Sequence, residues 1–87
     1  SKAKFVVFPS QRGGYCAQAI AAGFGTQELK VPFPAEWAGA PEEDLPGISG
    51  IETLRFCHVG RFLVTVGTRE DAFAACEAAM ERAREDG

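Results

Sequence analysis

Histidine is nearly absent from this chain of 87 residues, and cysteine is sparse and unpaired. His58 is the single histidine, and Cys16, Cys57 and Cys76 form no Cys-x-x-Cys pair. A structural zinc site needs four ligands at close, paired spacing, so the sequence argues against one. An odd number of cysteines leaves a thiol unpaired in any disulfide scheme. We therefore interpret all three as small apolar residues of a cytoplasmic protein in a reducing compartment.

Long apolar runs and glycine-rich nucleotide loops are also missing. No stretch approaches the ~18 apolar residues of a membrane span, so we expect no membrane partner. The motifs G-x-G-x-x-G, H-E-x-x-H and the P-loop are absent as well. A net charge of −3 argues against nucleic-acid binding through net charge, although a local basic patch stays open. The length predicts one domain over residues 1–87, and the start at Ser1 favours a fragment or C-terminal domain of a longer protein.

Short β-rich runs around glycine turns predict two hairpins. The first pairs residues 4–8 with 15–20 through the turn at Arg12-Gly13-Gly14. The second covers residues 53–66 and turns at Val59-Gly60, which would place His58 opposite Arg61.

The connection between the hairpins is the least regular part of the chain. Residues 21–27 predict a loop and residues 28–31 a brief edge strand. Prolines at 34 and 41 favour short helical turns within a compact connection over residues 32–50.

An amphipathic helix is predicted over residues 69–84. Thr68 has the spacing of an N-cap, with Asp71 three residues on. Phe73, Cys76 and Met80 recur at helical spacing, so we expect them to lie on the sheet. On that basis Phe73→Ala should cost about 3–5 kcal/mol. The fold class is therefore α+β: a mainly antiparallel sheet of four or five strands, one long C-terminal helix and short helical turns.

No catalytic residue is predicted. Cys57 and His58 are neighbours on a strand, so their side chains point to opposite faces and cannot form a nucleophile–base pair. The acids at 42–44 have the pattern of a solvated turn.

Several features of the sequence could bind an anion, although none of them supplies a catalytic group. The turn at Arg12, Gly13 and Gly14 offers backbone N–H groups and a guanidinium. The other candidates are a His58–Arg61 pair, Arg69 at the start of the helix, and Trp37 as a stacking platform for a base. Each also has a plain structural interpretation: a hairpin turn, a surface histidine, a helix cap and an aromatic lid over the core.

Six segments in succession resemble a known family. They are Phe8-Pro9-Ser10, 12–20, 34–39, 47–50, 56–62 and 68–72. In this order they resemble the C-terminal portion of the MYG family (melanocyte-proliferation-gene-type proteins), in particular its bacterial branch. The resemblance covers about residues 4–80, and the Trp-x-Gly and Phe-Cys-His-x-Gly-Arg-Phe elements are its more specific pieces.

The resemblance implies one part of a larger enzyme. The MYG family is related to the DHH phosphoesterases, whose N-terminal part binds divalent metal, here expected to be manganese, and hydrolyses nucleic acid. That part is not in this chain, so no metal ligand is expected here. The C-terminal part closes over the catalytic part and helps to bind substrate phosphate. Many eukaryotic members carry Gly-Phe-Ile-Gly-Gly-Asn before the last helix, whereas residues 61–67 here lack the paired glycines. Arg12, His58, Arg61 and Arg69 would then have to bind the phosphate.

Three hypotheses follow. The first is a non-catalytic accessory domain that docks on the catalytic domain of the parent chain and binds a nucleotide or a short single strand. It predicts salt-sensitive binding that Arg12→Ala and Arg61→Ala abolish. The second is an interaction module or homodimer that uses an exposed sheet edge. The third is a sensor of small anionic ligands at His58 and Arg61.

Overall fold

Four antiparallel strands form one sheet, and a long C-terminal helix covers one of its faces. The computed structural model describes residues 3–26 and 28–87. The strands are β1 (Phe5–Pro9), β2 (Tyr15–Ala19), β3 (Phe56–Cys57) and β4 (Leu63–Val66), and the helices are α1 (Leu45–Ser49) and α2 (Arg69–Asp86). The strand order is β1-β2-β4-β3, so each hairpin supplies one inner and one outer strand. The predicted α+β class is confirmed.

Side chains alternate between the two faces of the sheet along each strand, and one face is buried while the other is open. Ala17 pairs with Val7 on one side and with Val64 on the other, and both Ala17 and Val64 are fully buried. These residues face α2, because side chains that pair across strands share a face. The residues between them along each strand, such as Val6 and Phe8, lie on the open face.

Small residues let α2 approach the sheet closely. The N-cap at Thr68 is confirmed, since its side-chain oxygen accepts a hydrogen bond from the backbone N–H of Asp71 at 3.1 Å. The buried residues of α2 have the spacing of a single helix face, and they are Ala72, Ala75, Cys76 and Ala79.

Phe73 does not lie in the core as the periodicity predicted. Its side chain is 43% exposed at the margin of the helix, so the predicted stripe of Phe73, Cys76 and Met80 is wrong for Phe73. The buried face of the helix is centred on Ala72, Ala75, Cys76 and Ala79, and at about 100° per residue Phe73 lies at its side.

The irregular connection completes the core next to the sheet and α2. Its two 3₁₀ turns, Ala35–Trp37 and Glu42–Asp44, follow Pro34 and Pro41, as predicted, and the second runs into α1. Phe33 and Leu45 are among its fully buried side chains. A bidentate ion pair between Glu36 and Arg82, at 2.6 and 2.7 Å, joins the first turn to α2.

Two predicted strand boundaries are wrong. Residues 28–31 add no fifth strand: Leu29 forms a single bridge with Ala21, so this segment folds back on the chain just after β2 and not along a sheet edge. The second hairpin spans 53–66, but its strands are only β3 and β4, because a loop of five residues separates Cys57 from Leu63. The loop prediction for 21–27 and the domain prediction for 1–87 include residues 27, 1 and 2, which lie outside the described residues. No helix among the residues described is long and apolar enough to cross a bilayer.

Candidate functional site

The open face of the sheet carries a row of four side chains with an aromatic ring at each end. Phe8 pairs with Cys16, Cys16 with Thr65, and Thr65 with Phe56. Phe8 is 36% exposed and Phe56 44% exposed, whereas the two residues between them are small. Three strand spacings separate the outer rings, a distance of about 14 Å. The row therefore forms a shallow trough with an exposed ring on each side.

Two arginines lie at one end of this trough. A concavity of about 530 Å³ opens there. Its lining residues are Ser10, Arg12, Gly13, Ala40, Glu42, Arg55, Phe56 and Thr65. Arg12 belongs to the β1–β2 turn, which Ser10 closes by donating its N–H to the carbonyl of Gly14 at 3.0 Å. Gly14 has φ +75°, and a Cβ there would overlap the carbonyl oxygen of Val66, so only glycine fits.

A local irregularity in β3 directs Arg55 towards the same turn. The N–H of Arg55 donates to the carbonyl of Thr65 at 2.9 Å, although Phe56 is the register partner of Thr65. Two consecutive residues thus oppose one, as in a β-bulge, which re-aims the side chain next to it. A Cβ built on Gly14 would be 3.3 Å from one nitrogen of the Arg55 guanidinium, and one on Gly67 would be 2.8 Å from the other. The two glycines therefore leave the space in which the guanidinium lies.

Asp71 holds the chain segment that precedes Arg55. One carboxylate oxygen of Asp71 accepts hydrogen bonds from the N–H and the hydroxyl of Thr53, at 3.1 and 2.5 Å. Thr53 in turn accepts the N–H of Gly67, through its carbonyl at 3.1 Å and its hydroxyl at 3.0 Å. The start of α2 thus anchors the segment two residues before Arg55, which fixes the position of the arginine on the sheet.

The concavity carries more positive than negative charge. It has the guanidinium groups of Arg12 and Arg55 and one carboxylate, that of Glu42. Neither arginine takes part in a salt bridge among residues 3–26 and 28–87. Guanidinium groups bind phosphate or carboxylate through paired hydrogen bonds, and an exposed aromatic ring stacks with a base. The arrangement suits an anionic ligand with flat rings.

The residues predicted from the sequence are divided among several places. Arg12, Gly13 and Gly14 lie at the concavity. His58 and Arg61 lie at the opposite end of the sheet, about 13 Å away by the length of β2.

Both residues at that far end make contacts within the fold. The Nδ1 atom of His58 accepts the N–H of Gly60 at 2.8 Å, and its ring packs 4.4 Å from that of Phe62. Arg61 has φ +64° and donates its Nε–H to the carbonyl of Phe33 at 2.7 Å.

Trp37 and Arg69 lie apart from the concavity as well. Trp37 is 2% exposed and stacks on Phe33 with ring centroids 6.1 Å apart, which agrees with the aromatic lid and leaves no ring face for a base. The guanidinium carbon of Arg69 lies 5.1 Å from the centroid of Phe73, on the helix side of the sheet. The seven candidates therefore do not converge on one site.

Comparison with known proteins gives the family. The family model MYG1_exonuc, described as an uncharacterised protein family (UPF0160), matches residues 1–80. The chain belongs to this family. The resemblance to the MYG family is thereby confirmed, and no solved structure matches the chain.

Named relatives of this MYG family chain come from distant organisms. A MYG1 protein of Dictyostelium discoideum is 38% identical over 69 residues, which cover 79% of this chain and 21% of the relative. A MYG1 protein of Chlamydia pneumoniae is 37% identical over 89 residues, covering 97% and 28%. A MYG1 exonuclease of Homo sapiens is 29% identical over 76 residues, covering 87% and 20%. The chain thus spans between a fifth and just over a quarter of the length of these relatives.

Residues 61–67, where the resemblance implies paired glycines in many eukaryotic members, have their backbone hydrogen-bonded within this fold. Residues 61–67 comprise the Arg61 turn, the inner strand β4 and Gly67. The N–H of Gly67 already donates to Thr53, and β4 forms ladders on both sides. The backbone of this segment therefore offers little to a phosphate.

The described residues contain no group of three or more His, Cys, Asp or Glu side chains that could hold a metal ion. Burial raises the pKa of the Cys57 and Cys76 thiols to about 11, so both remain protonated at neutral pH. All three cysteines are free and buried, as predicted.

Arg55, Phe56 and Phe8 were missed by the sequence analysis. Arg55 is one of nine basic residues and carries no motif. Its proximity to Gly14 depends on the pairing of β2 with β4, which joins the two hairpins. The alternation of Phe56 with Cys57 was visible, but it does not indicate which face is covered by the helix.

Proposed function

We propose that this chain is the non-catalytic, substrate-binding accessory part of a MYG-type, DHH-like metal-dependent phosphoesterase that acts on nucleic acid in the cytoplasm. The observation that carries the proposal is the concavity in which Arg12 and Arg55 lie beside the exposed ring of Phe56. Family membership supports the same substrate class, since one relative is named a MYG1 exonuclease. The metal, expected to be manganese, would belong to the catalytic part of the parent protein.

The chemistry of the open face favours a short single strand or a nucleotide. Arg12 and Arg55 would neutralise phosphates, while Phe56 and Phe8 would stack with two bases that are not adjacent in the strand. A duplex hides the faces of its bases, so the two rings could not be used. Burial raises the pKa of the Cys57 and Cys76 thiols to about 11, which disfavours their thiolate forms, and Nδ1 of His58 is occupied by the N–H of Gly60. These observations support an accessory role.

Titration with an eight-nucleotide oligouridylate tests the proposal. We expect amide shifts at residues 10–14 and 55–56, and affinity that falls as salt rises. Arg12→Ala and Arg55→Ala should each weaken binding several-fold and reduce the salt slope by about 1. Arg84→Ala removes an arginine from the far end of α2 and should leave the affinity unchanged. Unmoved amide shifts at millimolar oligonucleotide, or equal affinity in all three variants, would refute the proposal.

A further inference from the structure

The outer edge of β1 presents backbone groups that no other strand uses within residues 3–26 and 28–87. Ile20 donates its N–H to the carbonyl of Lys4, and Ser10 donates to Gly14, so the even-numbered residues of β1 form the hydrogen-bonded pairs with β2. Hydrogen-bonded and non-hydrogen-bonded pairs alternate in an antiparallel ladder. Phe5, Val7 and Pro9 therefore direct their backbone groups outwards. They expose two donors and three acceptors, since proline has no N–H.

The opposite edge of the sheet is protected. β3 has only two residues, and the outward carbonyl of Cys57 accepts the N–H of Gly39 at 3.0 Å. Short length and a covering loop are the usual ways to block an edge strand. The sheet is thus closed to further strands at β3 and open at β1.

An apolar groove with basic ends runs beside the open edge, between β1 and α2. Its volume is about 720 Å³. Its apolar wall includes Phe5, Val7, Phe73 and Met80, and Lys4 and Arg69 also line it. Lys4 precedes β1 and Arg69 lies near its other end, beside Pro9 and Tyr15. No carboxylate lines the groove within the described part of this chain, whose net charge is −3.

We propose that the β1 edge accepts an extended segment of a partner polypeptide as a fifth strand. The backbone of that segment would pair with Phe5 and Val7. Its alternate apolar side chains would enter the groove and cover Phe73, and carboxylates at its ends would meet Lys4 and Arg69. Strand addition of this kind obtains affinity from main-chain hydrogen bonds and specificity from pockets for alternate side chains. The groove shares no residue with the concavity of Arg12 and Arg55, and only Phe8 belongs both to it and to the trough, so the inference does not rest on the proposed function.

Charge disfavours a second copy of this chain as the occupant. Antiparallel pairing of two β1 strands about a two-fold axis would place Lys4 of each copy near Arg69 of the other. Like charges opposite each other across strands are destabilising. Pro9 would also leave an acceptor of the partner strand without a donor in the register that pairs it with Phe5. An acidic partner segment removes the charge conflict.

Two peptides test the proposal on the chain as it is. The first is acetyl-Glu-Val-Thr-Val-Thr-Val-Glu-amide, and its control replaces both glutamates by lysine. In the free protein we expect fast amide exchange at Phe5 and Val7 and slower exchange at Val6 and Phe8. Saturating acidic peptide should slow exchange at Phe5 and Val7 at least tenfold, and the basic peptide should bind at least tenfold more weakly.

A pair of protein variants locates the effect. Arg69→Glu reverses one end of the groove, and an acid suits the first turn of a helix, so the fold should persist. Arg69→Glu should weaken binding of the acidic peptide at least fivefold, whereas Arg84→Glu on the same helix should leave that affinity unchanged. Equal binding of both peptides, unchanged exchange at Phe5 and Val7, or a dimer that already protects these amides without peptide would each overturn the proposal.

Discussion

Variants of Arg61 distinguish most sharply between a structural role and a ligand-binding role for one of the predicted site residues. Its Nε–H donates to the carbonyl of Phe33 at 2.7 Å, and the N–H of Phe33 donates back to the carbonyl of Arg61 at 3.0 Å. Phe33 is fully buried and stacks on Trp37. These bonds join the central connection to the β3–β4 loop, so we expect loss of the side chain to destabilise the fold.

Two contributions set the expected change in the free energy of unfolding. A hydrogen bond from a charged group contributes about 1.5–3 kcal/mol, which Arg61→Ala should lose. The left-handed φ of +64° costs a residue with a Cβ about 1–2 kcal/mol, which Arg61→Gly should recover. We therefore expect the glycine variant to be more stable than the alanine variant by about 1 kcal/mol. For a domain of this size, Arg61→Ala should lower the Tm by roughly 6–24 °C.

Thermal melts and oligonucleotide titration together decide the role. Below their melting transitions, both Arg61 variants should bind oligouridylate as tightly as the unchanged protein. Arg55→Ala supplies the matched comparison, because it should weaken binding with little change in Tm. If Arg61→Ala melts with the unchanged protein and binds oligonucleotide several-fold more weakly, the structural role is refuted.

Two further predictions concern stability. Phe73→Ala should lower the free energy of unfolding by only about 1–2 kcal/mol, because a ring that is 43% exposed has less apolar area to lose than a fully buried one. Leu54→Ala should lower it by about 2–5 kcal/mol, as measured by urea unfolding. Equal losses in the two variants would contradict the placement of Phe73. The hydrogen bonds from Arg82 lower the pKa of Glu36 from 4.5 to about 2. The stability from this pair is therefore fully present above pH 4.5 and fades as pH falls towards 2. The Tm of Glu36→Gln should lie below that of the unchanged protein at pH 6 and converge with it near pH 2.

Local sequence patterns predicted the helix and strands of the fold, whereas the order of the strands depends on contacts between distant parts of the chain. The glycines at 13 and 14 and the cap at Thr68 act over a few residues, so the first turn and the start of α2 were predicted well. The strand order depends on which edges of the two hairpins meet, and short-range alternation carries no information about that.

The errors at Phe73 and Arg55 have the same origin. Helical spacing fits an apolar stripe through Phe73 as well as one through the alanines, and the sheet buries the second of these faces. Arg55 reaches the concavity through the extra residue opposite Thr65 and the space above Gly14 and Gly67. Both features require the neighbouring strand to be known, so a single sequence could not reveal them.

The contact between Gly39 and Cys57 limits how far the sheet can grow. With β3 covered, adding a strand at β1 ends the process, and no chain can polymerise by joining one edge to another. Gly39 has φ +67°, a conformation that costs a residue with a Cβ about 1–2 kcal/mol, so substitution there would weaken the segment that covers β3. A sheet that lost this contact would have two open edges and, with them, a route to open-ended fibres.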